Sequence, residues 1–211
     1  MNSHRLLPAC TALAISFLPA VCSADAPAYA PVAAQSSLSF IGTQQGEKFT
    51  GVFKEFDARI AYAADQLATS RIDVTIRMKS LDSKSQDRDS ALAGADWFDF
   101  TKFPTATFRA TTIRTTPSGP VGDADLTIKG RTKHISFPFA WKSEAGKQVL
   151  DAHVTLDRLD FGVGTGEWAD ESVAGHKVEV VVHLVLAAAP ATTPAAAAGQ
   201  PAAPPKANPK N

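Results

Sequence analysis

The fold of this chain is decided by the stretch Arg71-Ile72-Asp73-Val74-Thr75-Ile76-Arg77-Met78. Its apolar residues occupy every second position, and the positions between them are charged or polar. Successive side chains of a β-strand point to opposite faces, so this alternation predicts a strand with one buried face and one wet face. Such a strand is stable only beside other strands that bury the same face.

The same alternation recurs on both sides of this stretch. It predicts further strands over Leu38–Thr43, Phe49–Tyr62, Thr105–Ile113, Val121–Ile128, His134–Trp141 and Leu150–Asp157. The run Val178–Leu186 is apolar on nearly both faces, which predicts a strand covered on each side. Turn-forming residues separate them, as in Pro117-Ser118-Gly119-Pro120. About eight strands joined mostly by short loops predict an all-β fold, either an antiparallel barrel or a sandwich.

A single short helix is predicted over Ser85–Gly94. Ser83 and Gln86 fit a capping box. Asp87 and Asp89 fall where the positive end of a helix favours acidic side chains. The glycine at the end of the range suits the stop of the helix.

The N-terminal residues have the features of a cleavable signal peptide. A short basic start is followed by the apolar run Leu6–Val21 and by the small-residue cleavage site Cys22-Ser23-Ala24. A membrane anchor and a lipid attached to Cys22 are weaker interpretations, because Pro8 and Pro19 interrupt the run and the bulky Val21 precedes the cysteine. We therefore expect an exported protein, periplasmic or secreted. The predicted organisation is a signal peptide over 1–24, a linker over 25–35, one folded domain over 36–188 and a disordered Ala- and Pro-rich tail over 189–211.

The amino-acid composition limits the kinds of site and partner that the chain can have. Both cysteines, Cys10 and Cys22, fall in the predicted signal peptide, so the mature chain would have no disulfide, thiolate nucleophile or thiolate metal site. The full chain has 21 Lys and Arg against 21 Asp and Glu, and no basic patch stands out. This balance argues against a nucleic-acid partner.

Polar clusters offer candidates for catalysis, and each has a simpler interpretation. Asp87-Arg88-Asp89 could act as an acid–base group, but alternating charges at a helix start favour a solvated cap. His153 and Asp157 share the strand face that is predicted to be wet. The glycine-rich stretch 162–166 lacks the lysine and the following helix of a phosphate loop, and the histidines lack metal-ligand spacing. We expect no catalytic residue, no metal site and no cofactor.

A series of short motifs links the predicted strands. They are Asp87–Leu92, Trp97–Phe100, Lys102–Pro104, Thr107-Phe108, Leu126–Lys133, Arg158–Gly162 and Trp168–Asp170. In this order the motifs resemble the signature of the YceI-like family, periplasmic or secreted β-barrels associated with binding long isoprenoid lipids. The resemblance covers roughly residues 36–188 and implies a lipocalin-like barrel around an elongated apolar tunnel.

The resemblance also implies a function and a binding site. The protein would hold a polyisoprenoid, such as a polyprenyl phosphate or an isoprenoid quinone, with its tail in the barrel. The implied lining consists of inward-facing residues, with one aromatic side chain at the mouth: Phe108, Phe137, Phe139, Leu156 and Val182, and Trp168. Arg88 is the candidate for the head group, since a guanidinium pairs with a phosphate or a quinone oxygen.

Partners and alternatives complete these expectations. Some family members occur beside membrane cytochromes, which implies transient contact with a membrane or with such a protein. The residues themselves leave two other classes open. One is a structural or partner-binding domain with a filled core, and the other is an enzyme acting on a lipid or a small acid, which would need convergent polar groups inside the barrel.

Overall fold

The computed structural model describes residues 25–189. The predicted signal peptide, both cysteines and the predicted tail beyond Ala189 lie outside these residues. The strands are β1 Ala28–Pro31, β2 Ser37–Gln44, β3 Glu47–Phe53, β4 Phe56–Ala61, β5 Arg71–Arg77, β6 Leu81–Asp82, β7 Thr105–Thr116, β8 Gly119–Ile128, β9 Arg131–Glu144, β10 Lys147–Asp157 and β11 Lys177–Ala188. Within the described residues there is one α-helix, α1, over Gln86–Leu92.

These strands form one antiparallel sheet that closes on itself. The ring runs β1-β4-β5-β7-β8-β9-β10-β11, and β11 pairs back with β1. Strands β2, β3 and β6 continue β1, β4 and β5 respectively, so three of the barrel strands are each interrupted once. The result is a closed eight-stranded barrel with one helix, which confirms the predicted all-β barrel.

Tight turns set the register of three hairpins. Each turn has two residues, of which the second is glycine: Gln45-Gly46, Lys129-Gly130 and Ala145-Gly146. Both residues of every turn have a positive φ. A type I′ turn requires this conformation, and its twist matches that of the strands that it joins.

The barrel begins earlier than the sequence predicts. Strand β1 lies inside the predicted linker 25–35 and pairs with β11 on one side and β4 on the other. Tyr29 of this strand packs against Trp141, with ring centroids 5.4 Å apart. The linker prediction is wrong here because four residues, two of them alanine and one proline, show too little alternation to indicate a strand.

The predicted strand Phe49–Tyr62 is interrupted in its middle. The backbone N–H of Lys54 donates to the carbonyl of Ser80 at 3.2 Å, and that of Glu55 donates to the Ser80 hydroxyl at 3.0 Å. The chain therefore turns toward the segment around Ser80 and separates β3 from β4.

Helix α1 lies within its predicted range, but its start differs. The N-cap is Ser85, whose hydroxyl accepts a hydrogen bond from the Arg88 backbone N–H at 3.4 Å. Ser83 is buried, and both its backbone N–H and its hydroxyl donate to the Asp89 carboxylate. The predicted capping box at Ser83 is wrong because this serine lies before the N-cap and its donors are bonded to Asp89.

The largest buried cluster fills one end of the barrel, and two smaller ones lie under α1 and beside the loop that joins β10 to β11. Ile60, Ala110 and Leu186 of the largest cluster are at most 1% exposed. Farther along the strands, inward-facing residues such as Val154 and Val182 remain half-buried. The interior is therefore packed at one end and open toward the other.

Candidate ligand-binding site

A cavity of about 450 Å³ occupies the open part of the barrel. Its wall is built from the inward-facing side chains of the barrel strands, which are almost all apolar. Along β11 the lining extends from Val178 to Leu184, a depth of about 20 Å at the rise of a strand. The cavity stops where the packed core begins, so it forms a pocket with a mouth and a floor.

Most of the predicted lining residues border this cavity: Phe108, Phe137, Leu156 and Val182. The rings of Phe108 and Phe137 meet edge to face, with centroids 4.9 Å apart. Phe139 does not border the cavity. It packs against Tyr62 in the filled end, with centroids 5.4 Å apart. Placing Phe139 in the lining is wrong because alternation reveals the inward face of a strand but not the depth of the cavity.

Glycines facing aromatic residues help to keep the cavity open. The pairs are Gly42 with Phe49, Gly51 with Phe40, and Gly122 with Phe137, and each pair is in direct register. A Cβ atom on any of these glycines would meet the ring of its partner. Each ring therefore lies over the facing strand, where it covers backbone with apolar surface.

The mouth lies between α1 and the loop that joins β10 to β11. Trp168 of this loop and Trp97, which follows α1, both line the cavity. Their ring centroids are 5.6 Å apart. Trp168 is thus at the mouth, where the sequence placed it, and its contact with a ligand remains a prediction.

Arg88 faces the cavity from α1. Its guanidinium donates to the Ser83 hydroxyl at 3.0 Å, to the Ser83 carbonyl at 3.3 Å and to Gln44 Oε1 at 3.1 Å. The group also lies 4.0 Å from the centroid of the Phe49 ring. These bonds use three of the five N–H groups of an arginine. Among the ion pairs of residues 25–189, none includes Arg88.

Arg158 also borders the cavity, but its donors are fully used. It is 5% exposed, and its five N–H groups donate to five backbone carbonyls of the mouth loop: those of Val163, Gly164, Trp168, Ala174 and Gly175. Burial lowers the pKa of this guanidinium below its ordinary value. Since no N–H group is left for a ligand, Arg158 shapes the loop. Sequence reasoning missed this role because nothing in the pattern around Arg158 indicates burial.

Comparison with known proteins agrees with this architecture. A family model described as the YceI-like domain matches residues 29–186. The chain belongs to the YceI-like family. Relatives named UPF0312 protein include one from Pseudomonas putida, 32% identical over 120 residues, 54% of this chain and 62% of the relative. Another, from Vibrio cholerae, is 32% identical over 138 residues, 62% of this chain and 73% of the relative. The chain thus spans less than two thirds of the Pseudomonas protein.

Solved structures share the family fold. BcnA of Burkholderia cenocepacia superimposes with a TM-score of 0.70 at 30% identity, covering 74% of this chain and 99% of BcnA. A polyisoprenoid-binding domain from Saccharophagus degradans has a TM-score of 0.62 at 15% identity, with coverages of 77% and 99%. The YceI protein of Campylobacter jejuni has a TM-score of 0.55 at 22% identity, with coverages of 66% and 84%. The last two are distant enough to show the fold alone.

The other polar candidates of this YceI-like barrel lie away from the cavity. His153 pairs with Glu179 at 3.1 Å and Asp157 pairs with Lys177 at 3.2 Å, in both cases between β10 and β11. They do not converge on a common centre. Within residues 25–189, no cluster of three or more His, Cys, Asp or Glu side chains is placed to hold a metal ion. Over the same residues, no helix has the length and apolar character needed to cross a membrane.

Proposed function

We propose that this protein binds one amphipathic isoprenoid lipid, with the tail in the barrel and the head group at Arg88. The observation that carries the proposal is the pairing of a deep apolar cavity with a single arginine at its mouth that retains unused donors. The fold shared with a polyisoprenoid-binding domain supports the same ligand class.

The cavity suits an apolar tail because it is elongated and its wall is almost entirely apolar. Each methylene moved from water into such a lining contributes about 0.8 kcal/mol, and no directed hydrogen bond is needed along the chain. The aromatic residues of the wall, Phe108 and Phe137 among them, provide broad surfaces for the branched methyl groups of an isoprenoid.

The mouth suits a head group that accepts hydrogen bonds. Arg88 has two N–H groups without a partner among the described residues, and no carboxylate neutralises its charge. A phosphate or a quinone carbonyl would accept these bonds, and a phosphate would also compensate the charge. Asp87, exposed at the rim, is the one acidic side chain among the cavity-lining residues.

The setting that we propose is outside the cytoplasm. The features of residues 1–24 support export by a cleaved signal peptide, and the mature barrel would act as a carrier or store of lipid without catalysis. A protein of this kind would meet membranes, or a membrane cytochrome in the case of a quinone, only during exchange of its ligand.

Substitution of Arg88 tests the proposal. Arg88→Ala should weaken binding of a polyprenyl phosphate by about 10–100-fold, since a hydrogen bond to a charged group contributes about 1.5–3 kcal/mol. Binding of the uncharged polyprenol of equal length should change little. Titration of both ligands into delipidated protein measures this difference.

Arg109→Ala is the matched control, because Arg109 lies on the outer surface and pairs with Asp73 at 2.9 Å. It should bind both lipids like the wild type. Equal losses of phosphate and alcohol in Arg88→Ala would contradict the head-group assignment, and failure of the wild type to bind either would contradict the proposed function.

A further inference from the structure

The barrel wall has a slit between two interrupted strands. The last paired residues of β1 and β4 are Tyr29 and Ile60, and the pairing of β2 with β3 resumes only at Leu38 and Phe53. Within the described ladders, no residue of 30–37 pairs with a residue of 54–59. The ring of backbone hydrogen bonds is therefore open over this part of the wall.

Each side of the slit is tied to its outer neighbour. On one side, the Val32 N–H donates to the Val185 carbonyl at 2.7 Å, and the Val185 N–H donates to the Ser36 hydroxyl at 3.1 Å. On the other side, Lys54 is bonded through its backbone to Ser80. Each edge of the slit is therefore bonded to its outer neighbour and, within the described ladders, not to the opposite edge.

The slit lies against the main cavity. A hollow of about 280 Å³ lies within it, and Leu38, Phe53 and Phe56 line both the hollow and the cavity. Lys54 also borders the hollow, but its ammonium group is held by Asp82 at 2.7 Å. These three apolar side chains therefore form a wall that the hollow and the cavity share.

The slit opens at the far end of the cavity from Arg88. Gln44, which holds the guanidinium, and Leu38, at the slit, are the two ends of one strand. The distance between them is about 20 Å at the rise of a strand. Leu38 is in register with Val182, close to the floor of the cavity. A tail that starts at Arg88 reaches the slit once it has crossed the whole cavity.

We propose that this slit is a second opening of the binding site, which receives the distal end of an isoprenoid tail too long for the main cavity. The inference rests on the proposed function and extends it to chain length. A pocket with a closed floor would limit the tail to about 20 Å. A side opening at the floor removes this limit and allows long polyprenyl chains to bind with their ends on the outer surface.

Two neighbouring alanines provide a matched test. Ala33 and Ala34 are both exposed in the turn Ala33–Gln35, but only Ala33 lines the slit. Ala33→Trp should fill the opening, and Ala34→Trp adds the same bulk beside it. Affinities are measured by titration with two polyprenyl phosphates, one with a tail shorter than the cavity and one with a tail much longer.

Ala33→Trp should weaken binding of the long polyprenyl phosphate by at least about tenfold, equivalent to about 1.4 kcal/mol, and leave the short one within about twofold. Ala34→Trp should bind both like the wild type. If Ala33→Trp weakens binding of the short and the long lipid equally, or of neither, the slit is not an opening for the tail. If the wild type binds the short lipid but not the long one, the slit does not receive a long tail, and the proposed function stands. If the wild type binds neither, both are wrong.

Photocrosslinking gives a second measurement that needs no substitution. A long polyprenyl phosphate with a photoreactive group at its distal end should label the rim of the slit, at Ser37, Val52 or Lys54. Labelling confined to the mouth, at Trp97 or Trp168, would show that the tail folds back and would overturn the proposal.

Discussion

Arg88 and Arg158 border the same cavity, yet their guanidinium groups are used in different ways. Arg158 gives all five N–H groups to carbonyls of the mouth loop, whereas Arg88 keeps two. The sequence points only to Arg88 as a candidate for the head group, although each arginine stands in a family motif beside an aspartate. The number of unused N–H groups distinguishes the two arginines, since a ligand's acceptor atoms need N–H groups that are not already bonded.

Replacement of Arg158 by lysine tests its role in shaping the loop. Lysine has three donors and lacks the planar fork, so at least two buried carbonyls of the loop would lose their partners. Arg158→Lys should lower the free energy of unfolding by about 2–4 kcal/mol. The thermal midpoint should fall by several degrees in a melting experiment. Hydrogen exchange of residues 162–175 should also accelerate, which a general loss of stability alone would not single out.

The exposed Arg109 provides the control for this substitution as well. Arg109→Lys keeps a surface ion pair with Asp73 and should change the free energy of unfolding by less than about 0.5 kcal/mol. If Arg158→Lys melts like Arg109→Lys and its loop exchanges at the wild-type rate, the five carbonyl bonds do not stabilise the loop.

Phe137 and Phe139 allow ligand contact to be separated from stability within one strand. Both belong to the buried cluster, but only Phe137 also borders the cavity. Phe137→Leu should weaken binding of a polyprenyl phosphate by about tenfold, because a smaller side chain covers less of the tail. Phe139→Leu should leave binding nearly unchanged and lower the free energy of unfolding by about 1–2 kcal/mol, because it opens a void in the core. Lipid titration and thermal melting of both variants measure these effects. If Phe139→Leu weakens lipid binding more than Phe137→Leu does, the floor of the cavity has been placed at the wrong depth.

At the scale of the elements, β6 has an importance beyond its two residues. Its Asp82 accepts from the backbone N–H of Lys84 at 2.8 Å and pairs with the ammonium groups of Lys54, at 2.7 Å, and Lys84, at 3.1 Å. One carboxylate thus joins the end of β3 to the chain that leads into α1. The bonds from Lys54 and Lys84 hold the pKa of Asp82 far below its ordinary value.

This depressed pKa predicts how the stability of the barrel changes in acid. A carboxyl group with a lowered pKa in the folded state stabilises the fold above its unfolded pKa, about 3.9, and loses this contribution as the pH falls through the folded pKa. Asp82→Asn should therefore melt at a lower temperature than the wild type at neutral pH. The difference should shrink below pH of about 4. Melting curves between neutral pH and pH of about 2 measure it, and a difference that stays constant over this range would contradict the assignment.

Alternation revealed the long strands but not their interruptions. Strand β5 was predictable because its two faces differ at every residue, and the helix because acidic residues stand in its first turn. The break at Lys54 was not, since it depends on hydrogen bonds to Ser80, which lies far along the chain. The same limit hid β1, whose pairing with β11 joins the first and the last strands of the chain. Local patterns cannot report such long-range contacts.

The site was predictable to a similar degree. The inward face of β9 followed from alternation, but only the packing of Tyr62 against Phe139 shows where the cavity ends. Arg88 could be selected because its motif resembles one of the YceI-like family, whereas the buried role of Arg158 depends on five backbone carbonyls that only the folded loop brings together.

At the scale of the whole molecule, the barrel combines a packed end that supplies stability with an open end that supplies volume. The buried cluster around Ile60 and Leu186 needs no ligand to hold it together. The cavity walls, by contrast, leave apolar side chains half-buried, and a bound tail would complete their burial. A ligand that binds only the folded state stabilises it by mass action, by about 2.7 kcal/mol at a concentration 100-fold above Kd.

The most direct test of lipid binding is mass spectrometry of an organic extract from the protein purified without detergent. The extract should contain an isoprenoid with a phosphate or quinone head group, at up to one molecule per chain. After delipidation, adding the same lipid back should raise the thermal midpoint by about 5–10 °C at 100-fold excess over Kd. An extract without isoprenoid, together with a thermal midpoint that no isoprenoid lipid changes, would contradict the account and leave the barrel with a different ligand or none.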